Sequence, residues 1–365
     1  MNTQIILAGL KARPVRTGVG ILAVALEVVL ILLLVGLTNG AIADSGSRVA
    51  GAGGEIIFKN GESSYVVGMN PAVLPVKMVP EIEKIEGVKV ATPIVAQTEV
   101  GGGFTMIWGI DPPSFDEMSG GLRFMDGKIF SRPDEAIIDD RIANDKHLKV
   151  GDSLKVLNHP FTVSGIVENG KGARVFIPLA TAQDMTRPDS ASMFYIKLHD
   201  KSQTKAVVER LKEAFPGRDV VDADDWLSLM FESIAPLLGL VFNVIVFVGV
   251  FIGVLVIFLS MYTTVTERTR EIGILRAMGA TKSFIVVLVL QESLVLCIIG
   301  AIVGIGSSYL IMAILKGIFP TLSVLIDSGW VFRAVLFALL SGIIGSLYPA
   351  YKAASQDPIE ALAYE

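Results

Sequence analysis

The stretch SIAPLLGLVFNVIVFVGVFIGVLVIFLSMYTTVT, residues 233–266, contains no charged side chain. A helix needs about 20 predominantly apolar residues to cross a hydrocarbon core ~30 Å thick. Residues 237–262 meet that requirement, and at this length their Val and Ile content does not argue for a strand. Three more segments qualify on either side. Residues 17–38 hold one charge, Glu27; residues 283–315 hold one, Glu292; residues 334–351, just after Arg333, hold none. The chain therefore reads as four transmembrane helices.

The composition agrees. Of 365 residues, 52% are hydrophobic and only 18% charged, against about 25% charged in an ordinary soluble domain. The 36 Asp+Glu outweigh the 31 Lys+Arg, which argues against a nucleic-acid binder, since phosphates select a basic face. Cys297 is the single cysteine, so no internal disulfide can form, and His147, His159 and His199 are too scattered to suggest a metal site.

The first span follows Lys11, Arg13 and Arg16 and precedes Ala41-Ile42-Ala43, which imitates a secretory cleavage site. Signal-peptide apolar regions run about 7–15 residues; this one is longer and contains Glu27, so it reads as a retained span after an amphipathic cytoplasmic helix at residues 1–16. Basic residues set orientation through short loops. Those before the first span, Arg268, Arg270, Arg276 and Lys282 after the second, and Lys352 after the fourth all place both termini and the middle loop in the cytoplasm.

The expected organisation is span one at 17–43, an extracytoplasmic domain at 44–234, span two at 235–262, a cytoplasmic loop at 263–282, span three at 283–315, a short outer loop at 316–330, span four at 331–351 and a cytoplasmic tail at 352–365. The outer domain can bury a core of its own. Strands at 55–58, 65–67 and 88–98 with a helix at 79–85, and strands at 194–198 and 219–222 with a helix at 201–215, suggest an α/β part formed by residues 45–120 and 185–230. Between them, short strands at 135–138, 153–157, 161–167 and 174–177 and a helix at 141–147 suggest a β-rich insertion at 121–184. Residues 45–54, rich in Gly and Ser, read as a flexible linker.

The middle loop runs from Glu267 to Thr281 as ERTREIGILRAMGAT. On a helix Ile272, Leu275 and Met278 would share a stripe beside the charges. Gly279 sits where a helix would end and Thr281 could cap the next. Such a helix could rest on anionic lipid or pack into a partner's groove.

This loop, the following span with Gln291-Glu292 and Gly300, Gly304 and Gly306, and the C-terminal Tyr348-Pro349-Ala350, Ala353-Ala354 and Asp357-Pro358-Ile359-Glu360-Ala361-Leu362 resemble the MacB/FtsX-type permeases of ABC transporters. So do Leu10 to Thr17 ahead of the first span, and Gly109-Ile110-Asp111-Pro112, Gly127-Lys128-Ile129-Phe130 and Leu148-Lys149-Val150-Gly151-Asp152 in the outer domain. The resemblance implies a bacterial inner-membrane subunit that pairs with a second permease copy, more in the manner of a homodimer than a heterodimer, and is driven by a separate ATPase dimer. It further implies that Glu267, Arg268, Arg270, Glu271, Ile272, Leu275, Arg276, Met278, Gly279, Ala280 and Thr281 form the ATPase-coupling segment. Pro349, Asp357, Pro358 and Leu362 would supply a second cytoplasmic contact, and a periplasmic adaptor protein is a further possible partner.

The chain offers no phosphate-binding loop of the form G-x-x-x-x-G-K-[S/T]. Gly127-Lys128 and Gly170-Lys171 are followed by Ile129 and Gly172. No cofactor is expected on this chain, and ATP with Mg belongs to the partner. No catalytic residues are expected either, because the outer domain has no Ser/His/Asp constellation of recognisable spacing. Glu27 and Glu292 are acids within spans, and such groups point to function by default; for Glu292 the plain reading is a protonated or hydrogen-bonded acid at a helix interface, satisfied by Thr, Ser or backbone, against a role in coupling motion or in contact with substrate. Gly249-x-x-x-Gly253 and Gly300-x-x-x-Gly304 have the spacing of close helix contacts, including dimer contacts. The expected function is transmission of ATP-driven motion to the outer domain for export or extraction of an amphiphile such as a drug, lipid, glycolipid or lipoprotein. The competing expectation is an FtsX-like subunit that controls a cell-wall hydrolase; a membrane-anchored enzyme is a third.

Overall fold

The structure, a computed structural model, describes residues 14–63, 73–100 and 104–357. The expected N-terminal helix up to residue 13, the strand at 65–67, Pro358 and Leu362 lie outside these. The chain divides into two compact units.

The first unit takes the described residues up to Gly40, Leu238–Gly317 and those from Val324 onward. Its frame is four helices long and apolar enough to span a membrane, namely α1 (Pro14–Gly51), the Gly239–Glu267 part of a longer helix, Lys282–Ile318 and Ser328–Ser355. Glycines set their spacing. A Cβ on Gly300 or Gly304 would meet Val24 at 2.7 Å and Val28 at 2.8 Å, and the Ala25 carbonyl at 2.8 Å. Gly345 likewise admits the Val254 carbonyl. The glycine pairs are thus used within the chain. Ser308 and Ser346 return their hydroxyls to Gly304 O at 2.8 Å and Gly342 O at 2.6 Å, one turn back, which satisfies them where no water is available.

The second unit takes Ala41–Leu237 and Ile318–Ser323. In chain order it contains β1 (Ile56–Asn60), β2 (Leu74–Pro75), α2 (Val79–Ile82), β3 (Val88–Val100), β4 (Phe104–Ile110), α3 (Pro112–Ser119), β5 (Phe124–Gly127), β6 (Glu135–Asp139), α4 (Asp140–Lys146), β7 (Ser153–Val156), β8 (His159–Val167), β9 (Val175–Pro178), α5 (Leu179–Met185), β10 (Ser190–Ala191), β11 (Met193–Leu198), α6 (Thr204–Ala214) and β12 (Arg218–Asp222). One sheet has the order β12-β1-β11-β3-β4-β9-β6-β8-β5, with β7 on β8. The two expected parts are halves of this sheet, and β3 serves both. Its first half pairs with β11 from Val88 to Ile94, and its second half pairs with β4 from Val95 to Val100.

Two expectations need correction here. The β-rich half begins before residue 121, because β4 pairs in parallel with β9 from Ile107↔Val175 to Ile110↔Pro178. Residues 45–54 are also no free linker, since α1 runs to Gly51. Asp44 and Arg48, one turn apart, pair at 2.9 Å, and Val49 and Ala52 are buried in the same core as Trp108, Phe176 and Tyr195. Tertiary burial outweighs the low helix propensity of Gly and Ser. Each such large side chain taken out of water contributes roughly 1.5–3 kcal/mol.

An ionic cluster lies within this unit. Arg174, 3% exposed, reaches Asp44 at 2.9 Å, Asp139 at 3.3 Å and Thr321 O at 2.9 Å. Arg141 joins Asp44 at 2.8 Å and Ser323 Oγ at 3.0 Å. The cluster ties the outer end of α1 and the 318–323 segment to β6, α4 and the residue before β9. Asp139 also caps α4 by accepting from the Ile142 amide at 2.7 Å.

Candidate coupling site

The second span ends α7 (Ala223–Glu267), which starts well before the expected residue 235 because Trp226, 1% exposed, is held in the sheet core. A short helix α8 (Thr269–Ala277) follows, then α9 (Lys282–Ile318) and α10 (Ser328–Ser355). The α8 turn-off is built as the sequence predicts. Gly279 takes φ +97°, its amide bonds Arg276 O, and the Ala280 amide bonds Leu275 O, each at 3.0 Å, a Schellman closure that a residue with a Cβ would strain. Thr281 then caps α9, accepting from the Phe284 amide at 3.2 Å.

Three polar ties fasten this segment to the other spans. Glu267 receives Arg16 of α1 through two bonds of 2.6 Å and 2.8 Å, a bidentate geometry that favours a fixed orientation. Arg268 donates from Nη1 to both oxygens of Glu292 on α9, at 3.2 Å and 3.1 Å, and from Nε to Glu271 at 3.1 Å. Arg276 donates from Nη1 to Ala354 O at 2.9 Å and Gln356 O at 2.7 Å, and so closes the C-terminus of α10, where carbonyls lack helical partners. Gln356 returns a long contact of 3.4 Å to Thr269 Oγ1. Alongside, Lys352 donates to the Tyr262 hydroxyl at 2.6 Å and lies 4.4 Å from its ring centroid.

The expected apolar stripe divides. Ile272 is buried and Leu275 packs against the bundle core, whereas Met278 is 72% exposed, since it follows the last helical turn. Ile274, one turn before Met278, is also exposed. With Arg270 and Glu271 they make up the open face of α8. Of the C-terminal residues, Pro349 is buried inside α10 and Asp357 is exposed. Glu292 has Arg268 as a partner, a pairing the sequence does not single out. Arg16 and Lys352 are read from the sequence only as charges that set orientation, and Ile274 and Gln356 are not singled out there. Charge reversal between Arg16 and Glu267 at two helix ends was the available signal for the first.

Residues 17–214, more than half of the chain, match the MacB-like periplasmic core domain, and residues 243–358 match the FtsX-like permease C-terminal family. The chain belongs to the MacB/FtsX family of ABC transporter permeases. It is 30% identical over 275 residues to the macrolide export ATP-binding/permease protein MacB of Photorhabdus laumondii, a match over 67% of this chain and 41% of that one. It is 28% identical to the uncharacterized ABC transporter permease YknZ of Bacillus subtilis, over 68% of this chain and 66% of the relative. The chain thus spans under half the length of the MacB relative. The crystallised periplasmic region of MacB from Actinobacillus actinomycetemcomitans aligns with 16% identity and a TM-score of 0.37, over 48% of this chain and 92% of that one. In this MacB/FtsX permease the sheet-rich domain lies between the first and second membrane helices.

Proposed function

We propose that this permease receives ATP-driven motion at α8 from a separate ATP-binding subunit and passes it to its extracytoplasmic domain, moving an amphiphilic substrate such as a drug, lipid, glycolipid or lipoprotein. The observation that carries this reading is the division of labour on the Glu267–Thr281 segment. One face is open, with Ile274 and Met278 beside Arg270 and Glu271, a mix of apolar anchor and rim charge suited to a protein groove. The other face is wired to α1, α9 and α10 by Glu267, Arg268 and Arg276. A push on the open face would therefore reach every span together.

In this reading ATP and Mg belong to the partner, the termini and α8 face the cytoplasm of a bacterial inner membrane, and the permease works as a homodimer. The name of the Photorhabdus relative, which joins ATP-binding to permease in an exporter, supports the pairing and the direction of transport. The test separates the two faces. Ile274→Glu with Met278→Glu should abolish co-purification of the ATP-binding subunit. Arg276→Ala should retain association and lose transport. If the paired glutamates leave association intact, α8 is not the contact.

A further inference from the structure

The coupling scheme makes no use of Glu27, which is 3% exposed on α1. Its carboxyl lies in the groove formed on α7 by Gly249 and Gly253. A Cβ on Gly253 would collide with the carboxyl group, and one on Gly249 would lie 3.9 Å from its Cγ. From α10, the wholly buried Ser341 places Oγ 3.1 Å and 3.4 Å from the two carboxyl oxygens. From α9, Cys297 fills the space beside Gly342, and Ser293 commits its hydroxyl to Gly342 O at 2.8 Å. Among the described residues, α7, α9 and α10 bring no cation to Glu27, and Cys297 is the one titratable neighbour they present.

The hydrogen count around Ser341 is informative. Its Oγ also lies 3.1 Å from Phe337 O and 3.0 Å from Ala338 O. A serine hydroxyl has one hydrogen and two lone pairs, and in an apolar helix it habitually donates to a carbonyl about one turn back. With Glu27 ionised, all of these neighbours are acceptors competing for one hydrogen, and an unpaired charge remains in an apolar bundle. With one more proton the contacts form a chain. Glu27 O–H donates to Ser341 Oγ, and Ser341 O–H donates to the Phe337 or Ala338 carbonyl.

We propose that Glu27 is a proton-binding site of the membrane bundle, occupied when α1 lies in the Gly249/Gly253 groove and against Ser341. Movement of α1 out of that groove exposes the carboxyl to water, to which the proton passes as hydronium; repacking requires that a proton be taken up. The inference rests on the four-helix bundle alone, so it stands or falls independently of how α8 meets an ATP-binding partner.

Infrared spectroscopy of the full chain in lipid nanodiscs at pH 7 tests it, since water-exposed carboxyls are ionised there. The wild-type minus Glu27→Gln difference should contain a carboxylic C=O stretching band, and Ser341→Ala should move that band to higher wavenumber. A difference containing only carboxylate bands overturns the proposal. Should Glu27→Gln fail to assemble, a pH series on the wild type decides. A carboxylic band that persists from pH 5 to pH 8 supports the site, and loss of all such intensity along with the exposed carboxyls refutes it.

Discussion

Arg268 on the α7–α8 junction and Glu292 on α9 form a two-pronged contact in which one guanidinium nitrogen serves both carboxylate oxygens. The two ends are unequally buried, with side-chain exposure of 22% for Arg268 and 10% for Glu292. Removing one partner of a buried pair costs about 3–5 kcal/mol, because the other charge is stranded. Arg268→Ala takes the arginine away from the more buried end, Glu292. Glu292→Gln leaves Arg268 with Glu271 and partial access to water. Thermal unfolding should therefore show a larger loss for Arg268→Ala than for Glu292→Gln, with the double variant recovering part of it.

Arg276 acts on its own chain. As it closes the last carbonyls of α10 through Nη1 alone, Arg276→Lys, whose ammonium sits on a shorter side chain, should weaken that closure. Amide exchange at residues 353–357 should accelerate in Arg276→Lys and more in Arg276→Ala, while amides in the middle of α9 stay protected. Unchanged exchange in both variants would deny Arg276 this role.

The glycines of α9 differ in what surrounds them. Gly300 and Gly304 abut Val24, Ala25 and Val28, whereas a Cβ on Gly306 would meet open space. Gly300→Val and Gly304→Val should each destabilise by roughly 1–3 kcal/mol through overpacking. Gly306→Ala should be neutral or stabilising by up to about 1 kcal/mol. Thermal denaturation in one detergent compares all three.

Much of this was legible beforehand, for identifiable reasons. Charge-free length alone located the spans, and Gly279 and Thr281 announced the α8 turn because few residues can do their work. The reach of α1 to Gly51 was hidden because it depends on Arg141 and Arg174, distant in sequence from Asp44. Met278 was misplaced because the stripe assumed another helical turn beyond Ala277. For Gly249 and Gly253, the spacing showed that something approaches closely; only the fold showed that it is Glu27.

Within the ionic cluster of the outer domain, Asp139 should titrate. Burial pushes the Asp139 carboxyl up to about 6, against the opposing pull of Arg174 and the Ile142 amide. An acid that holds its proton more tightly when folded favours the folded state at low pH. Its contribution therefore declines as pH rises from about 4 to about 6 and is constant above that. Asp139→Asn retains the cap on α4 and removes this titration. The free energy of unfolding plotted against pH should be flatter between pH 4 and pH 6.5 in the variant than in the wild type, a difference on the order of 1–3 kcal/mol.

In the proposed scheme the open face of α8 meets an ATP-binding subunit on the cytoplasmic side. The chain's single native cysteine, Cys297, is fully buried, so Met278→Cys gives a clean reporter. In sealed vesicles containing the assembled transporter, this position should cross-link to the ATP-binding subunit and resist labelling by impermeant maleimide added outside the cell-equivalent face. Labelling from that outer face, or no cross-link in a transport-competent assembly, would rule out α8 as the cytoplasmic contact.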